Sequence, residues 1–217
     1  MSSKITILIS TRNRFRKLSD TLESIRHSSI LGVKIVIMCD GDAFTHDALK
    51  TKWKEVESHL VAHGGSVASR NRGLEYCEGS IIYLTDDVIL PQLFLDVLRD
   101  EFEEKFETTD GVLGIRQVQD HHESGIAMVG EKFLRRYPEG QLFYPGYYHF
   151  AAQEIARYAR SCRLFGIATK TPPVEHRHPG FFKEEMDTTH VEARVHSQRD
   201  HVLMSARQGS GLIWPVR

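Results

Sequence analysis

Two adjacent carboxylates, Asp86 and Asp87, follow an apolar segment at residues 80–84 and the intervening Thr85. Their charges repel each other, and a divalent cation bound to one of them relieves that repulsion. Aspartate is equally common in the turn between a strand and a helix, where it caps the helix. The pair by itself therefore indicates either a metal site or a structural turn.

A second acidic sequence, Asp40-Gly41-Asp42, closes the apolar segment at residues 34–39. A carboxylate at this place can accept a hydrogen bond from a nucleobase or from a ribose hydroxyl. The same three residues are typical of a turn, and the turn is the favoured interpretation.

Arginines are concentrated at two places that could meet phosphate. Arg12, Arg14 and Arg16 follow the first apolar segment, and Arg70 and Arg72 lie on a predicted helix. A guanidinium can bind a diphosphate through two parallel hydrogen bonds. Arginines on a helix usually face water, so a solvated surface is the alternative for both groups.

Three further side chains in the second half could carry chemistry. Glu154 lies in a predicted helix at 151–164, where an acid near the start is stabilised by the helix dipole. His176 and His178 alternate on an extended segment, so both project from one face. Two such imidazoles suit a metal ion or an anion, although surface histidines are common in a chain that holds twelve of them.

The elements that must position these residues alternate along the first half of the chain. Short β-branched apolar segments predict buried strands, and amphipathic segments with a 3.6-residue period predict helices, one of them with Ser66 as its N-cap. In chain order, the predicted strands and helices are strand 5–9, helix 14–28, strand 34–39, helix 45–57, strand 59–61, helix 66–76, strand 80–84 and a helix from about 91.

This alternation predicts the α/β class, with a mostly parallel, doubly wound sheet flanked by helices. In such sheets ligands bind in the crevice beyond the carboxyl ends of the strands. The polar groups at 10–14, 40–42 and 86–87 each follow a predicted strand. We therefore expect them to share one crevice.

The second half is less regular. The predicted elements there are a strand at 112–118, loops at 119–148, the helix at 151–164, extended segments at 167–169 and 173–176, and a helical tail at 187–207 that ends by Gly209. We expect one domain over residues 1–217, with a donor half at 1–110, an acceptor and catalytic half at 111–180 and a helical tail at 181–217.

Composition restricts the class of protein. With 217 residues, 41% of them hydrophobic and 26% charged, the chain is long enough for one globular domain. A net charge of -1 argues against strong non-specific binding to nucleic acid. The three cysteines, Cys39, Cys77 and Cys162, are widely spaced and indicate reduced thiols and a cytoplasmic location. Neither a signal peptide nor a membrane-spanning segment is predicted.

Five segments together resemble the family 2 inverting glycosyltransferases with the GT-A fold. The segments are Ile-Leu-Ile-Ser-Thr-Arg-Asn at 7–13, Ile-Val-Ile-Met-Cys-Asp-Gly-Asp at 35–42, Ala-Ser-Arg-Asn-Arg-Gly at 68–73, Ile-Tyr-Leu-Thr-Asp-Asp-Val-Ile-Leu-Pro at 82–91 and Gln-Glu-Ile at 153–155. The 82–91 segment is similar to the family's Asp-x-Asp region, with Thr85 in place of the first Asp. The resemblance covers about residues 4–180.

The resemblance implies a nucleoside-diphosphate sugar donor, with a UDP-sugar foremost, and Mn²⁺ or Mg²⁺ as cofactor. By analogy, Ser10, Thr11 and Asp40 would lie near the nucleobase, with Arg12 near phosphate. Arg70 would then approach the diphosphate.

The same resemblance assigns the reacting centre. Asp86 would lie near the ribose or the sugar, and Asp87 would bind the metal, together with His176 or His178. Glu154 would act as the catalytic base, in place of the family's usual aspartate.

The acceptor and the rival functions remain open at this point. A sugar, a polymer end, a protein side chain or a hydroxymethylated base in phage DNA could supply the acceptor hydroxyl, and arginine-rich segments near 12–17, 132–136 and 157–163 are compatible with DNA. The chain is also similar to small glycosyltransferases of phages and actinobacteria. A nucleotidyltransferase would need a glycine-rich loop, and residues 10–14 hold no glycine. A dinucleotide-dependent oxidoreductase would need Gly-x-Gly-x-x-Gly after a strand. A non-catalytic module that binds nucleotide sugars is the main alternative.

Overall fold

The computed structural model describes residues 4–30, 32–118, 125–149, 152–180 and 186–215. The loops predicted at 119–148, the first residue of the helix predicted at 151–164 and the start of the tail predicted at 181–217 therefore lie partly outside the described residues.

Within the described residues, nine strands form one large and one small sheet. They are β1 (Ile5–Thr11), β2 (Lys34–Asp40), β3 (Glu57–Val61), β4 (Ser80–Leu84), β5 (Val88–Ile89), β6 (Val112–Gly114), β7 (Ala127–Val129), β8 (Phe165–Ile167) and β9 (Glu175–His176). The large sheet has the order β3-β2-β1-β4-β7-β6-β8, and β7 alone runs antiparallel to its neighbours. The predicted mostly parallel α/β fold is confirmed.

In the part of the chain that the structure describes, seven α-helices connect and flank these strands. They are α1 (Phe15–Arg26), α2 (Ala43–Lys52), α3 (Gly65–Gly73), α4 (Phe94–Lys105), α5 (Glu131–Leu134), α6 (Ala152–Ser161) and α7 (Thr188–Gly209), and a short 3₁₀ turn (Leu74–Tyr76) extends α3. None of the helices in the described ranges is both long enough and apolar enough to cross a membrane.

The centre of the large sheet is buried on both faces. All five residues of β4 are buried, and β1 is apolar and buried over most of its length. Helix α1 covers one face with Leu18, Leu22 and Ile25, which recur at helical spacing. Because both faces are covered by apolar contacts, the polar side chains of these strands can emerge only at their ends.

The second half differs from prediction at three elements. The strand predicted at 112–118 ends at Gly114, and its neighbour β7 lies in a region predicted as loop. Strand β7 has only three residues, and all three are buried. Its sequence is therefore too short, and lacks the alternation of polar and apolar residues, to predict a strand. The short helix α5 was missed for a similar reason, since four residues carry too little periodicity.

Helix α3 begins earlier than predicted, with Gly64 rather than Ser66 as its N-cap. Gly65 has a φ of +87°, which disfavours any residue with a side chain. A Cβ atom there would also meet the Tyr148 ring at 2.7 Å. The first turn of α3 therefore packs directly beneath a tyrosine from the second half of the chain.

The small sheet joins the acidic pair to the histidine segment. Strand β5 pairs antiparallel with β9, with Val88 opposite His176. The Arg177 backbone N–H adds a hydrogen bond of 2.8 Å to the carbonyl of Asp87. Backbone pairing therefore fixes His176 next to Asp87.

Candidate functional site

A cavity of about 500 Å³ lies at the carboxyl edge of the parallel strands. Its volume suits a small-molecule ligand. Nine of the predicted site residues line it: Ser10, Thr11, Arg12, Asp40, Arg70, Asp86, Asp87, His176 and His178. The three polar groups expected to share a crevice, at 10–14, 40–42 and 86–87, thus all contribute side chains to this cavity, and Glu154 does not line it.

Asp86 is held between two donors on the β1 side of the cavity. Thr11 Oγ1 donates to Asp86 Oδ2 at 2.7 Å, and Arg14 Nη1 donates to Asp86 Oδ1 at 3.0 Å. Burial raises the pKa of Asp86, and the Arg14 charge opposes this effect. Both carboxylate oxygens are therefore fixed in place before any ligand binds.

Asp87 has a different environment. Its Oδ1 lies 3.1 Å from His176 Nε2, and its Oδ2 lies 3.6 Å from Arg14 Nη1. Burial disfavours its charge, but the His176 and Arg14 contacts outweigh burial and lower its pKa. Within the described residues, neither oxygen accepts a hydrogen bond of acceptable geometry. A buried carboxylate with unmet acceptors is suited to a cation.

His176 is oriented from behind by Gln117. His176 Nδ1 donates to Gln117 Oε1 at 2.6 Å, and Gln117 is itself buried. The other ring nitrogen, Nε2, lies 3.1 Å from Asp87 Oδ1 and 3.4 Å from Thr85 Oγ1. Gln117 therefore fixes the orientation of the ring beside Asp87.

The predicted metal ligands do not form a preassembled cluster. Across the described ranges, no group of three or more His, Cys, Asp and Glu side chains is already arranged to hold a metal ion. The residues present nevertheless fit a divalent cation, because the buried Asp87 oxygens have unmet acceptors and face an imidazole. Asp87 and His176 would hold the ion, and oxygens of a bound diphosphate could complete its coordination.

His178 also lines the cavity, but one of its ring nitrogens is already used. Gly180 N–H donates to His178 Nδ1 at 3.1 Å, and burial lowers the pKa of His178. Its ring meets the ring of His190 edge-on, with centroids 4.7 Å apart.

Asp40 has a structural role that extends beyond the local turn favoured from the sequence. Its carboxylate accepts hydrogen bonds from Gly64 N at 2.9 Å, Gly65 N at 3.0 Å and His63 Nδ1 at 2.9 Å. It thus ties the end of β2 to the first turn of α3. A carboxylate has about four acceptor positions, so Asp40 can accept only one more hydrogen bond from a ligand.

Arg70 brings an incompletely paired guanidinium to the cavity wall. The residue is 8% exposed, and its Nη2 donates to the Leu84 carbonyl at 3.2 Å. Its Nε finds no hydrogen-bond partner in the part of the chain that the structure describes. Burial lowers its pKa, yet an arginine remains charged. An anion in the cavity would pair with it.

Helix α7 forms a wall of the cavity that sequence reasoning missed. Glu192 Oε1 accepts a hydrogen bond from Tyr148 OH at 2.6 Å and lies 2.6 Å from His63 Nε2. Arg12 Nε lies 3.3 Å from Glu192 Oε2, and its Nη1 donates to the Asp40 carbonyl at 3.0 Å. No local spacing could have revealed these contacts, since they join residues far apart in sequence.

The N-terminal end of α7 is fixed to the acidic pair through Arg14. Arg14 donates to both oxygens of Asp187, the N-cap of α7, at 2.8 and 3.0 Å. The same side chain reaches Asp86. Arg14 is therefore a central residue of the site, although its sequence context resembles an ordinary solvated surface.

Glu154, the predicted catalytic base, lies away from this cavity. Glu154 is 1% exposed and is not among the described residues that line the cavity. Its carboxylate accepts hydrogen bonds from Tyr147 OH at 2.6 Å, from Arg207 at 2.6 and 3.0 Å and from Trp214 N at 2.7 Å. A carboxylate saturated in this way is not available to receive a proton from an acceptor.

His149 lies on the cavity wall shortly before α6. Its side chain is exposed there, and its backbone N–H donates to Asp200 Oδ2 at 2.7 Å. The surrounding protein and the nearby Arg70 charge lower the pKa of His149, so its ring is neutral near pH 7. The sequence analysis did not single out this residue, because one histidine among twelve carries no pattern.

Comparison with known proteins gives one curated relative and several solved structures. No family model matches the chain. The uncharacterised glycosyltransferase YwdF of Bacillus subtilis (strain 168) is 31% identical over 137 residues, which are 62% of this chain and 47% of the relative. The chain thus spans about half the length of the curated relative it matches.

The solved structures share the fold. The S. aureus protein TarS 1–349 aligns with a TM-score of 0.66 at 13% identity, over 80% of this chain and 60% of TarS 1–349. Its complex with UDP-GlcNAc aligns at 0.64 and 14% identity, over 86% and 60%. The mannosyltransferase PcManGT from Pyrobaculum calidifontis, in complex with GDP-Man and Mn²⁺, aligns at 0.60 and 14% identity, over 80% and 55%. The chain has the fold of the GT-A glycosyltransferases.

Proposed function

We propose that the chain is a metal-dependent inverting glycosyltransferase that moves a sugar from a nucleoside-diphosphate donor, with a UDP-sugar foremost, to an acceptor hydroxyl. The observation that carries this proposal is the pairing of Asp87 with His176 beside Arg70, in one cavity at the carboxyl edge of a GT-A sheet. Two structural neighbours were crystallised with nucleotide sugars, which supports the donor class.

The negatively charged diphosphate of the donor would be held by two positively charged groups, an arginine and a metal ion. Arg70 offers its unpaired Nε–H to diphosphate oxygens, and Asp87 with His176 holds Mn²⁺ or Mg²⁺. When bound, the ion neutralises charge that develops on the leaving diphosphate. Ser10 and Thr11 line the cavity at the end of β1, next to Asp40, and this side is assigned to the nucleoside.

His149 is the proposed base, in place of Glu154. Its exposed imidazole at the cavity wall can accept the proton of an acceptor hydroxyl as that oxygen attacks the anomeric carbon. The oxygen–carbon bond forms while the bond to the diphosphate breaks. A single in-line displacement of this kind inverts the anomeric centre. The acceptors to be assayed are glycans, protein hydroxyls and hydroxymethylated DNA.

A non-catalytic module that binds nucleotide sugars is the second candidate. The observation that favours it is the position of Glu154, whose carboxylate is buried away from the cavity and saturated with hydrogen bonds. Such a protein would bind the donor but transfer no sugar.

The test measures thermal stability with UDP, GDP, TDP, CDP or ADP, each with and without Mn²⁺. A ligand that binds only the folded state stabilises it by about 2.7 kcal/mol at a hundredfold excess over Kd. We expect a manganese-dependent rise with one nucleotide, its loss in Asp87→Asn, and its retention in the matched variant Asp47→Asn, whose side chain is 78% exposed.

Transfer assays then separate the two candidates. Sugar transfer from the matching donor to any acceptor class, or slow hydrolysis of that donor, supports an enzyme. Donor binding with neither reaction supports the non-catalytic module. Absence of a thermal shift with all five nucleotides would contradict both.

A further inference from the structure

One face of helix α7 holds the residue that precedes His149. Glu192, His196 and Asp200 recur at four-residue spacing on this helix, so their side chains lie on the same face. Glu192 Oε1 accepts a hydrogen bond from the Tyr148 hydroxyl at 2.6 Å, and the His196 ring stacks on the Tyr148 ring with centroids 3.8 Å apart. Asp200, the third residue of this face, contacts the backbone.

Asp200 is a buried carboxylate that binds two successive backbone N–H groups. The residue is 0% exposed. Both of its oxygens lie 3.1 Å from Tyr148 N, and Oδ2 also accepts the His149 N–H at 2.7 Å. Hydrogen bonds to a charged acceptor are stronger than those between neutral groups, and a buried charge needs such bonds. Asp200 therefore fixes the backbone that carries the His149 imidazole.

The first turn of α3 holds Tyr148 from the opposite side. The Tyr148 carbonyl accepts the Val67 N–H at 3.2 Å and the Ser66 hydroxyl at 3.4 Å. The ring lies so close to Gly65 that a Cβ atom there would meet it at 2.7 Å. Because α3 and α7 both contact Tyr148, the place of the following residue, His149, depends on both helices.

The Asp200 charge also acts on the His149 ring. The surrounding protein and the Arg70 charge lower the pKa of His149 to about 4. His178 and Arg14 act in the same direction, whereas the Asp200 charge raises this pKa. A general base is more effective as its pKa approaches the working pH. Asp200 therefore keeps the imidazole more basic than the neighbouring cations alone would leave it.

We propose that Asp200 is a positioning residue for the transferase reaction, because it fixes the backbone of Tyr148 and His149 from helix α7 and so keeps the His149 imidazole at the cavity wall. This inference rests on the function proposed above and on His149 as its base. Asp200 is not among the described residues that line the cavity, so it acts on turnover through His149 and not on the donor directly.

The test is a double-variant cycle of steady-state kinetics with Asp200→Asn, His149→Gln and both together. Misplacement of a reacting group costs up to about a hundredfold, so we expect Asp200→Asn to lower kcat by about tenfold to a hundredfold. The KM and Kd of the donor should stay within about twofold of wild type, because the cavity wall that binds the donor is intact. Asp47→Asn removes the same charge at a side chain that is 78% exposed and is the matched control.

The double variant separates positioning from a general loss of structure. In the His149→Gln background, Asp200→Asn should lower kcat by less than about twofold more, because the imidazole on which Asp200 acts is gone. The pH profile is a further readout. Loss of the Asp200 charge lowers the pKa of His149, so the acidic limb of kcat should move to lower pH in Asp200→Asn but not in Asp47→Asn.

Two results would overturn this inference and leave the transferase function standing. One is wild-type kcat in Asp200→Asn, and the other is an equal loss of kcat with and without the His149 ring. Wild-type kcat in His149→Gln would overturn both the base and its positioning residue. Donor binding without any transfer by the wild-type protein would overturn the enzymatic function, and this inference with it.

A second variant covers the case in which Asp200→Asn does not fold. Asp200→Glu keeps the charge but moves it by one methylene group, so it should keep the wild-type pH profile and lower kcat by only about threefold to tenfold. The donor Kd should not change, and the loss should again disappear in the His149→Gln background. Wild-type kcat in Asp200→Glu, or the same loss in that background, would contradict the positioning role.

Discussion

Arg207 donates two hydrogen bonds to the carboxylate of Glu154, from Nε at 2.6 Å and from Nη2 at 3.0 Å. This pair joins the last turns of α7 to α6 in the interior of the protein. Trp214 N–H adds a third donor from the segment after α7. Glu154 is thus an internal anchor for the C-terminal helix.

Removal of the Glu154 charge should reduce stability rather than nucleotide binding. In Glu154→Gln the Arg207 guanidinium loses its buried counter-charge, which costs about 3 kcal/mol. Urea unfolding measures this loss, and titration with the matching nucleoside diphosphate should give the wild-type Kd. The control Glu139→Gln changes an exposed carboxylate. A fully stable Glu154→Gln protein without transferase activity would restore Glu154 as a catalytic candidate.

Arg70 should recognise the diphosphate and not the nucleoside. Replacement by methionine keeps the apolar stem but removes the buried charge, so we expect Kd for the nucleoside diphosphate to rise by about tenfold to a hundredfold. Affinity for the nucleoside alone should change little. Arg72→Met, on the exposed face of the same helix, is the matched control. An equal loss for both ligands would instead indicate a disturbed cavity.

His149 should affect turnover more than donor binding. A general base contributes about 10²-fold to 10⁴-fold, so His149→Gln should lower kcat by that order while the donor Kd stays constant. His27→Gln removes an imidazole that is 69% exposed and serves as control. Wild-type kcat in His149→Gln would show that another group receives the proton.

Glu101 should stabilise the loop after β8 in a pH-dependent manner. Its carboxylate accepts hydrogen bonds from the backbone N–H groups of Thr169, Lys170 and Thr171 and from the Thr171 hydroxyl. Burial raises the pKa of Glu101, but these hydrogen bonds outweigh burial and lower the pKa to about 2. Because the folded-state pKa is depressed, this contribution is present above the unfolded value near 4.5 and is lost as pH falls towards 2.

The corresponding measurement is urea unfolding of Glu101→Gln at pH 7 and pH 3. We expect a loss of about 2 kcal/mol at pH 7 and a smaller difference from wild type at pH 3. Glu107→Gln, an exposed carboxylate just beyond the end of α4, should show neither effect. If Glu101→Gln lost the same free energy of unfolding at pH 7 and at pH 3, the loss would come from a steric misfit of the amide and not from the missing charge.

Much of the fold could be predicted because the controlling patterns are local. Strands β1, β2 and β4 are short apolar segments, and α1 between them shows its buried stripe at 3.6-residue spacing. The antiparallel β7 escaped prediction because its pairing with β4 and β6 depends on contacts, not on a pattern within three residues.

The candidate site could be predicted as far as strand ends determine it. Asp86, Asp87 and Asp40 reach one cavity because parallel strands place their carboxyl ends at the same edge. Arg14 shows why the rest could not be predicted, since its partner Asp187 is 173 positions away. The position of Glu154 could not be predicted from its neighbours in sequence either. An acidic residue in the first turn of a helix has the same local sequence pattern whether its side chain faces a cavity or an arginine.

Helix α7 follows every strand in the order of synthesis, yet it supplies one wall of the cavity. A nascent chain can pair β1 to β4 while α7 is still inside the ribosome. At that stage the Arg14 guanidinium has no Asp187, and Tyr148 has no Glu192. The growing polypeptide can therefore pair these strands before α7 completes the wall of the cavity.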